Sequence, residues 1–222
     1  MSEVITLDIN SPPVQNLCTK DKRLAKVIEM VGTITYSPHD EDPFAFLIHE
    51  IIEQMLSVKA GAKIYSRLLD LCGGNITPTT ITDLTDEELK SIGTSQNKVS
   101  YIRALTDAVN NKELCFDLLV NLTDNEVIKE LTRIKGIGNW TANMYLIFVL
   151  NRDDILPVED VAFLQSYKWL YKTEDTTHES IRKRCKKWKP YSSIASRFLY
   201  RALDNGFTKN EFHLYKEDYY GS

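Results

Sequence analysis

Two groups of residues in this chain have types and spacing suited to chemistry. The first is Lys135-Gly136-Ile137-Gly138. Glycines in a tight turn tolerate positive φ and let a ligand approach the backbone closely. If a helix begins at Asn139, its free N–H groups face that turn and suit an anion such as a phosphate. Such binding reads the phosphate and not the base sequence. The second group is the acidic loop Asp153-Asp154-Ile155-Leu156-Pro157-Val158-Glu159-Asp160. A carboxylate held there can stabilise a developing positive charge or align a water. Each group also has a plain structural reading. A GxG turn serves an ordinary corner between helices, and Asp160 suits the N-cap of a following helix.

These residues need helices to position them, and the periodicity supplies helices almost throughout. Val14–Val31 repeats apolar residues at helical spacing and stops at Gly32. Asp42-Pro43 caps and opens a helix over Phe44–Leu56, and Lys59–Leu71 is a second, ended by Gly73-Gly74. Thr77–Thr80 reads as loop. Thr85-Asp86-Glu87-Glu88 and Thr123-Asp124-Asn125-Glu126 are capping boxes for helices over Asp86–Ile92 and Val127–Thr132. Gly93–Asn97 is a turn before the helix Lys98–Asn110, and Phe116–Val120 is a short apolar piece. Asn139–Leu150, Asp160–Tyr171, His178–Lys187, Tyr191–Asp204 and Glu211–Tyr219 complete the predicted helices. Only Met1–Asn10 alternates weakly, as a short strand or extended arm. Phe44, Phe46 and Tyr145 are predicted core residues. The fold class is all-α.

Composition bounds the function. A chain of 222 residues with 43% hydrophobic content can form one domain, or two lobes sharing a core. No apolar run is long enough for a transmembrane helix, so no membrane partner is expected. Met1–Lys26 lacks the pattern of a secretory signal. The expected address is the cytoplasm, or the nucleus in a eukaryote. Cys18, Cys72, Cys115 and Cys185 form no CxxC pair, which points to reduced thiols and away from zinc or iron–sulfur ligation. Net charge is −4, yet Ile181–Arg201 carries eight basic residues and no acid. That run is either a solvated helix or a basic face for a polyanion.

Four ordered motifs carry a resemblance. LTRIKGIGNWTANMYLIFVL with LPVED at Leu156–Asp160 resembles the helix–hairpin–helix DNA glycosylase superfamily, with its Gly/Pro-rich loop and following Asp. The 3-methyladenine DNA glycosylase II branch is the nearest match. DPFAFLIHEIIEQMLSVKA at Asp42–Ala60 resembles that branch's first core helix and QQLS corner. GTSQNKVSYI at Gly93–Ile102 resembles its minor-groove loop, and WKPYSSIASRFLY at Trp188–Tyr200 its C-terminal helix start. The resemblance spans about residues 20–205. It implies a single helix–hairpin–helix glycosylase domain over 1–222. A central helical lobe would cover about 44–150, with the hairpin at 127–150. A second lobe would combine about 1–43 with 160–222, the two flanking an active-site cleft. The branch's N-terminal β domain would be absent or much reduced.

The same resemblance implies the site. Asp160 would be the catalytic carboxylate, with Glu159 and Asp154 solvated. Trp140 and Tyr200 would line a pocket for a flipped base, where aromatic faces attract a cationic purine. Lys135, Gly136, Ile137 and Gly138 would hold DNA phosphate. Met55 and Ser57 at the corner, and Ser95 and Gln96 on the loop, would probe the minor groove. Met55 departs from the family's second glutamine, and Gln96 from its frequent apolar wedge. The backbone carbonyls of Thr132, Ile134 and Ile137 would hold a monovalent cation, Na⁺ or K⁺. Trp140 occupies the position where bifunctional members carry a lysine nucleophile. The implied activity is therefore monofunctional excision of alkylated purines such as 3-methyladenine and 7-methylguanine from double-stranded DNA, in base excision repair. No catalytic cofactor or iron–sulfur cluster is implied, and nothing calls for dimerisation, so a monomer is expected. The alternatives are a non-catalytic damage-binding protein of this fold and a glycosylase for oxidised or deaminated bases.

Overall fold

The computed structural model describes residues 4–38 and 42–215. The described chain is predominantly helical and forms two compact units, one from residues 1–38 with 152–222 and the other from residues 39–151. Thirteen α-helices are present among the described residues, with one pair of short strands.

The first unit begins with β1 (Ile5–Leu7), α1 (Pro12–Lys20), α2 (Lys22–Val31) and β2 (Ile34–Tyr36). The strands pair antiparallel, with Thr6 opposite Thr35. The helical pattern over Val14–Val31 is broken in the middle. Asp21 leaves helical geometry, and its side chain caps α2 by accepting from Arg23 and Leu24 N–H. An internal Asp that can satisfy a new helix start competes with continuation of the old one. The unit's later part is α11 (Val161–Tyr171), α12 (His178–Cys185), a 3₁₀ turn over Lys186–Trp188, and α13 (Ser192–Asp204). Helix α13 packs on α2 and α11 around Leu24, Val27, Phe163, Tyr167, Trp188, Phe198 and Leu199, all fully buried. Residues 211–215 form no helix. The remainder of the predicted helix Glu211–Tyr219 lies outside the described residues.

The second unit contains α3 (Pro43–Glu53), α4 (Val58–Leu71), α5 (Pro78–Asp83), α6 (Asp86–Ser91), α7 (Gln96–Asn110), α8 (Phe116–Leu119), α9 (Asp124–Thr132) and α10 (Asn139–Phe148). Asp42 caps α3 by accepting from Phe44 and Ala45 N–H, as its sequence predicts. The capping boxes at Thr85/Glu88 and Thr123/Glu126 are both formed. The predicted loop at Thr77–Thr80 is instead the start of α5. Thr77 and Thr80 make a capping box with threonine in the usual acidic position, which hid it from a pattern seeking Glu or Gln. Helix α3 is apolar on almost every face, and Phe44, Leu47, Ile48, Ile51 and Ile52 are buried. It packs against α4, α7 and α10, so it is the central helix of this unit. Phe46 and Tyr145 are buried, with their rings edge to face at 6.2 Å.

Candidate active site and nucleic-acid interface

In the second unit, α9 and α10 form a hairpin closed by Ile134–Gly138. The two glycines serve different needs. Gly136 has φ 96°, and a Cβ built on it would lie 2.3 Å from Cγ of Tyr101. Glycine is therefore demanded twice, by backbone conformation and by close packing on α7. Gly138 has φ −100° as N-cap of α10, and an added Cβ there would meet nothing within 4 Å. Nothing in the unit's own packing asks for glycine at 138. A bare backbone there leaves the N–H groups at the start of α10 open to an approaching anion. Lys135 is exposed, with Nζ 5.9 Å from the Tyr101 ring centre. Ile137 is buried and anchors the turn, its N–H donating to the carbonyl of Ile134 at 3.1 Å.

The corner after α3 is tied to this hairpin. Gln54 Nε2 donates to the Gly136 carbonyl at 2.9 Å and to Thr141 Oγ at 3.4 Å. Lys98, in the first turn of α7, donates to the carbonyls of Ile52 at 2.5 Å and Gln54 at 2.8 Å. A cation near a helix N-terminus opposes the helix dipole. Here it is offset because Lys98 satisfies carbonyls at the C-terminal end of α3 that lack helical partners. Burial pulls the Lys98 ammonium below its ordinary range, with Glu53 acting in the opposite sense. Between these ties stands Met55, in left-handed conformation at φ 60° and fully exposed at 101%. Ser57 caps α4 by accepting from Ala60 N–H, and Ser95 caps α7 by accepting from Lys98 N–H. Gln96 is exposed on the first turn of α7, which begins two residues earlier than predicted because Ser95 supplies its cap. The corner, the loop before α7 and the hairpin, three separate motifs in sequence, are thus one connected surface. Trp140 is partly buried on the first turn of α10.

In the first unit, Asp160 is the N-cap of α11, and its Oδ1 accepts from Phe163 N–H at 2.7 Å. The residue is only 8% exposed. The capping geometry expected for Asp160 is therefore present, and it fixes the carboxylate's orientation through its own helix. The loop leading to it is bolted to the start of α13. Ser193 N–H donates to the Asp153 carbonyl at 2.9 Å, and Ile155 N–H donates to Ser193 Oγ at 2.9 Å.

Asp154, expected to be solvated, is instead bonded within its own unit. Its Oδ1 accepts from Ser192 Oγ at 2.6 Å, and Lys189 Nζ stands 2.8 Å from Oδ2. Burial alone would raise its carboxyl, but the donors from Lys189 and Ser192 prevail and hold it below the usual carboxylate range. Asp153 behaves oppositely: burial first, then the neighbouring Asp154 charge, push it up against the pull of Arg197. Glu159 is exposed, as expected. Tyr200 lies partly buried on α13, the helix that packs against α11.

The basic run divides into two classes. Lys187 pairs with Asp21 at 3.0 Å, Lys189 pairs with Asp154, and Arg197 stacks 3.9 Å from the Tyr36 ring centre. Arg184 lies over the rings of Tyr167 and Tyr171. These four support the unit's own structure. Arg182, Lys183, Lys186 and Arg201 remain exposed. Sequence reasoning also missed the roles of Gln54, Lys98 and Tyr101. Lys98 had one visible signal, a cation in the wrong turn of a helix, while the other two are legible only as contacts.

Among the described residues no cluster of three His, Cys, Asp or Glu side chains could hold a metal. All four cysteines are free thiols. No helix among the described residues is long and apolar enough to cross a membrane.

The chain is 29% identical over 189 residues to DNA-3-methyladenine glycosylase 1 of Schizosaccharomyces pombe, covering 82% of each chain. It is 30% identical over 193 residues to the alkylbase DNA glycosidase-like protein mag2 of the same organism, covering 84% of this chain and 91% of the relative. Among solved structures, a DNA-3-methyladenine glycosidase from Bacillus halodurans superposes with a TM-score of 0.81 at 35% identity, over 95% of this chain and 97% of the other. The model of the HhH-GPD superfamily base excision DNA repair proteins matches residues 48–190, from within the central helix α3 through the hairpin and Asp160 to Pro190, just before α13, and the chain belongs to that superfamily.

Proposed function

We propose that the chain is a monofunctional DNA glycosylase that excises alkylated purines, 3-methyladenine and 7-methylguanine among them, from double-stranded DNA. The observation that carries the reading is Asp160, a carboxylate almost removed from solvent and aimed by its own helix cap. The relatives named for 3-methyladenine excision supply the substrate class.

The reaction breaks the bond between the base nitrogen and C1′ of the deoxyribose. Alkylation makes the base cationic, so the bonding electron pair leaves with it and neutralises the ring. Positive charge then develops on the sugar, as in other glycosidic cleavages. Asp160 stabilises that charge and aligns a water for attack at C1′, whose proton passes to the carboxylate or to solvent. Trp140 has no amine to form a Schiff base, so the product is an abasic site in an uncut strand. Trp140 and Tyr200 each offer an aromatic face to an extruded base, and a cation–π contact contributes roughly 0.5–2 kcal/mol toward a cationic purine over a neutral one.

Phosphate would be held by the backbone at Gly138 and by Lys135, with the exposed Arg182, Lys183 and Lys186 as further contacts. The carbonyls of Thr132, Ile134 and Ile137 would hold a monovalent cation that neutralises part of the phosphate charge. The carbonyl of Ile134 accepts the Ile137 N–H, which leaves a second lone pair for an ion.

The test is incubation of the purified protein with dimethyl-sulfate-treated duplex DNA and chromatography of the released bases. Release of 3-methyladenine and 7-methylguanine without strand breaks is expected. Binding to such DNA without release would favour a damage-binding protein, and a borohydride-trapped covalent complex would favour a lyase.

A further inference from the structure

One charged cluster in the first unit has no part in the proposed reaction. Arg197 lies on α13 three residues before Tyr200, so the two share a face of the helix. Its guanidinium stands 3.9 Å from the ring centre of Tyr36, the last residue of β2. Asp153 acts on it from the start of the loop that leads to Asp160. That start is held to α13 by the bond from Ser193 N–H to the Asp153 carbonyl. Burial pulls the guanidinium below its ordinary range, while Tyr36, Tyr200 and Asp153 act in the opposite sense. An arginine stays protonated through a shift of this kind, so the charge is permanent. Asp154, the next carboxylate of the loop, already takes Lys189 and Ser192. Asp153 is therefore the acid that answers Arg197.

A permanent cation at that place bears on the choice of base. The electron-rich face of Tyr200 attracts a cationic purine. A guanidinium within about one helical turn of the same ring repels that purine, and a neutral base of the same shape feels no such force. We propose that Arg197 and Asp153 are a specificity-determining pair: Arg197 limits how strongly the base site at Tyr200 prefers a cationic purine, and Asp153 offsets that limit. The preference is then set by the balance of the two charges and not by the aromatic ring alone. The two members are unequal. Arg197 is half-buried, whereas Asp153 is exposed and its charge is screened by solvent. This inference rests on the proposed glycosylase reading for the place of the base, but its test needs no base release.

The probes are two duplexes that differ in one charge. One carries 7-methylguanine, which is cationic, and the other 7-methyl-7-deazaguanine, its neutral isostere. Both sit on a 2′-fluoroarabino sugar, which resists cleavage. The ratio of the two binding constants reads the preference for charge, because shape and sugar are matched. It is measured, with thermal melts, for the wild type, Arg197→Gln, Arg197→Lys and Asp153→Asn. Arg197→Gln should raise the cationic-to-neutral ratio roughly tenfold, the scale of one partly buried charge acting over about one helical turn. Asp153→Asn should lower the ratio by about threefold, since its charge is screened. Arg197→Lys keeps the charge and loses the planar stack on Tyr36, so its ratio should stay at the wild-type value.

A structural role alone would weaken binding of both duplexes equally and leave the ratio where it was, and that result in Arg197→Gln would overturn the pair. So would an Arg197→Lys variant that follows Arg197→Gln, which would assign the effect to the Tyr36 stack. If Arg197→Gln does not fold, Asp153→Asn decides: a lowered ratio supports the pair, and an unchanged one overturns it. If the wild type releases no 7-methylguanine from a cleavable duplex yet its binding ratio moves as stated, the pair stands and the glycosylase reading falls. Release of 7-methylguanine with a ratio that no variant moves has the reverse meaning.

Discussion

Replacing Asp160 by asparagine separates its role as a helix cap from the catalytic role proposed for it. As the N-cap of α11, it accepts the Phe163 N–H at 2.7 Å. Asparagine caps a helix about as well as aspartate, so Asp160→Asn should change stability by less than about 1 kcal/mol. For a chain of this length that is a shift of roughly 2–4 °C at most. In the proposed reaction Asp160 faces a developing oxocarbenium ion and supplies a charge that the amide lacks. Losing such a preorganised group costs on the order of 3 kcal/mol in barrier, or roughly a hundredfold or more in rate. Asp160→Ala should lose the same rate and, in addition, about 1 kcal/mol of capping stability. The assay is single-turnover release of 7-methylguanine from methylated duplex DNA, with thermal melts and binding to an abasic duplex alongside. The two variants should be alike in rate and unlike in stability. A near-normal rate in Asp160→Asn would refute the catalytic assignment. Equal melting temperatures for the Asn and Ala variants would refute the capping assignment.

Gly136→Ala should disrupt the hairpin and lower the melting temperature, because its Cβ would meet Tyr101 at 2.3 Å in a left-handed backbone. Gly138→Ala should fold normally and bind duplex DNA more weakly, which a melt and a gel-shift series would separate. Asp154→Ala should release the Asp160 loop from Lys189 and Ser192, lowering kcat by about tenfold or more with little change in KM, since small misplacements near a reacting centre are costly. In the first unit, Asp21 is 2% exposed and accepts from Trp188 Nε1 at 2.9 Å and from the Tyr171 hydroxyl, with Lys187 also paired to it. Burial acts to raise its carboxyl, but these donors together hold it below the usual range. The stability it contributes is therefore present above about pH 4 and lost as pH falls through the folded value. Asp21→Asn should cost about 3 kcal/mol at neutral pH and flatten the acid side of a melting-temperature profile.

Much of the helical plan was legible because it is local. Asp42, Thr85 and Thr123 announce helix starts by side chains that bond N–H groups two or three residues on, within the reach of a sequence pattern. The broad apolar stripe of α3 announced a buried helix, and it is the central one of its unit. The failures were of two kinds. Asp21 and Thr77 start helices with local bonds that departed from the expected patterns. Asp154, Lys187, Lys189 and Arg197 looked like solvated or phosphate-facing charges, yet each is occupied within its own unit.

The sequence by itself determined the class of helices, the glycine hairpin, the position of Asp160 at a helix start and the absence of a lysine at Trp140. Each depends on residue type at one place or on spacing along one helix. Only the tertiary structure decided that Gly136 is demanded by Tyr101 while Gly138 is not, that Lys98 and Gln54 join the corner to the hairpin, and that Asp154 anchors a loop to α13. Those are contacts between residues 35 to 82 positions apart. A charge or amide carries no mark in sequence of the distant carbonyl or carboxylate that folding will bring to it. The same carboxylate is solvated or buried, free or bonded, according to what the packing of helices places within about 3 Å.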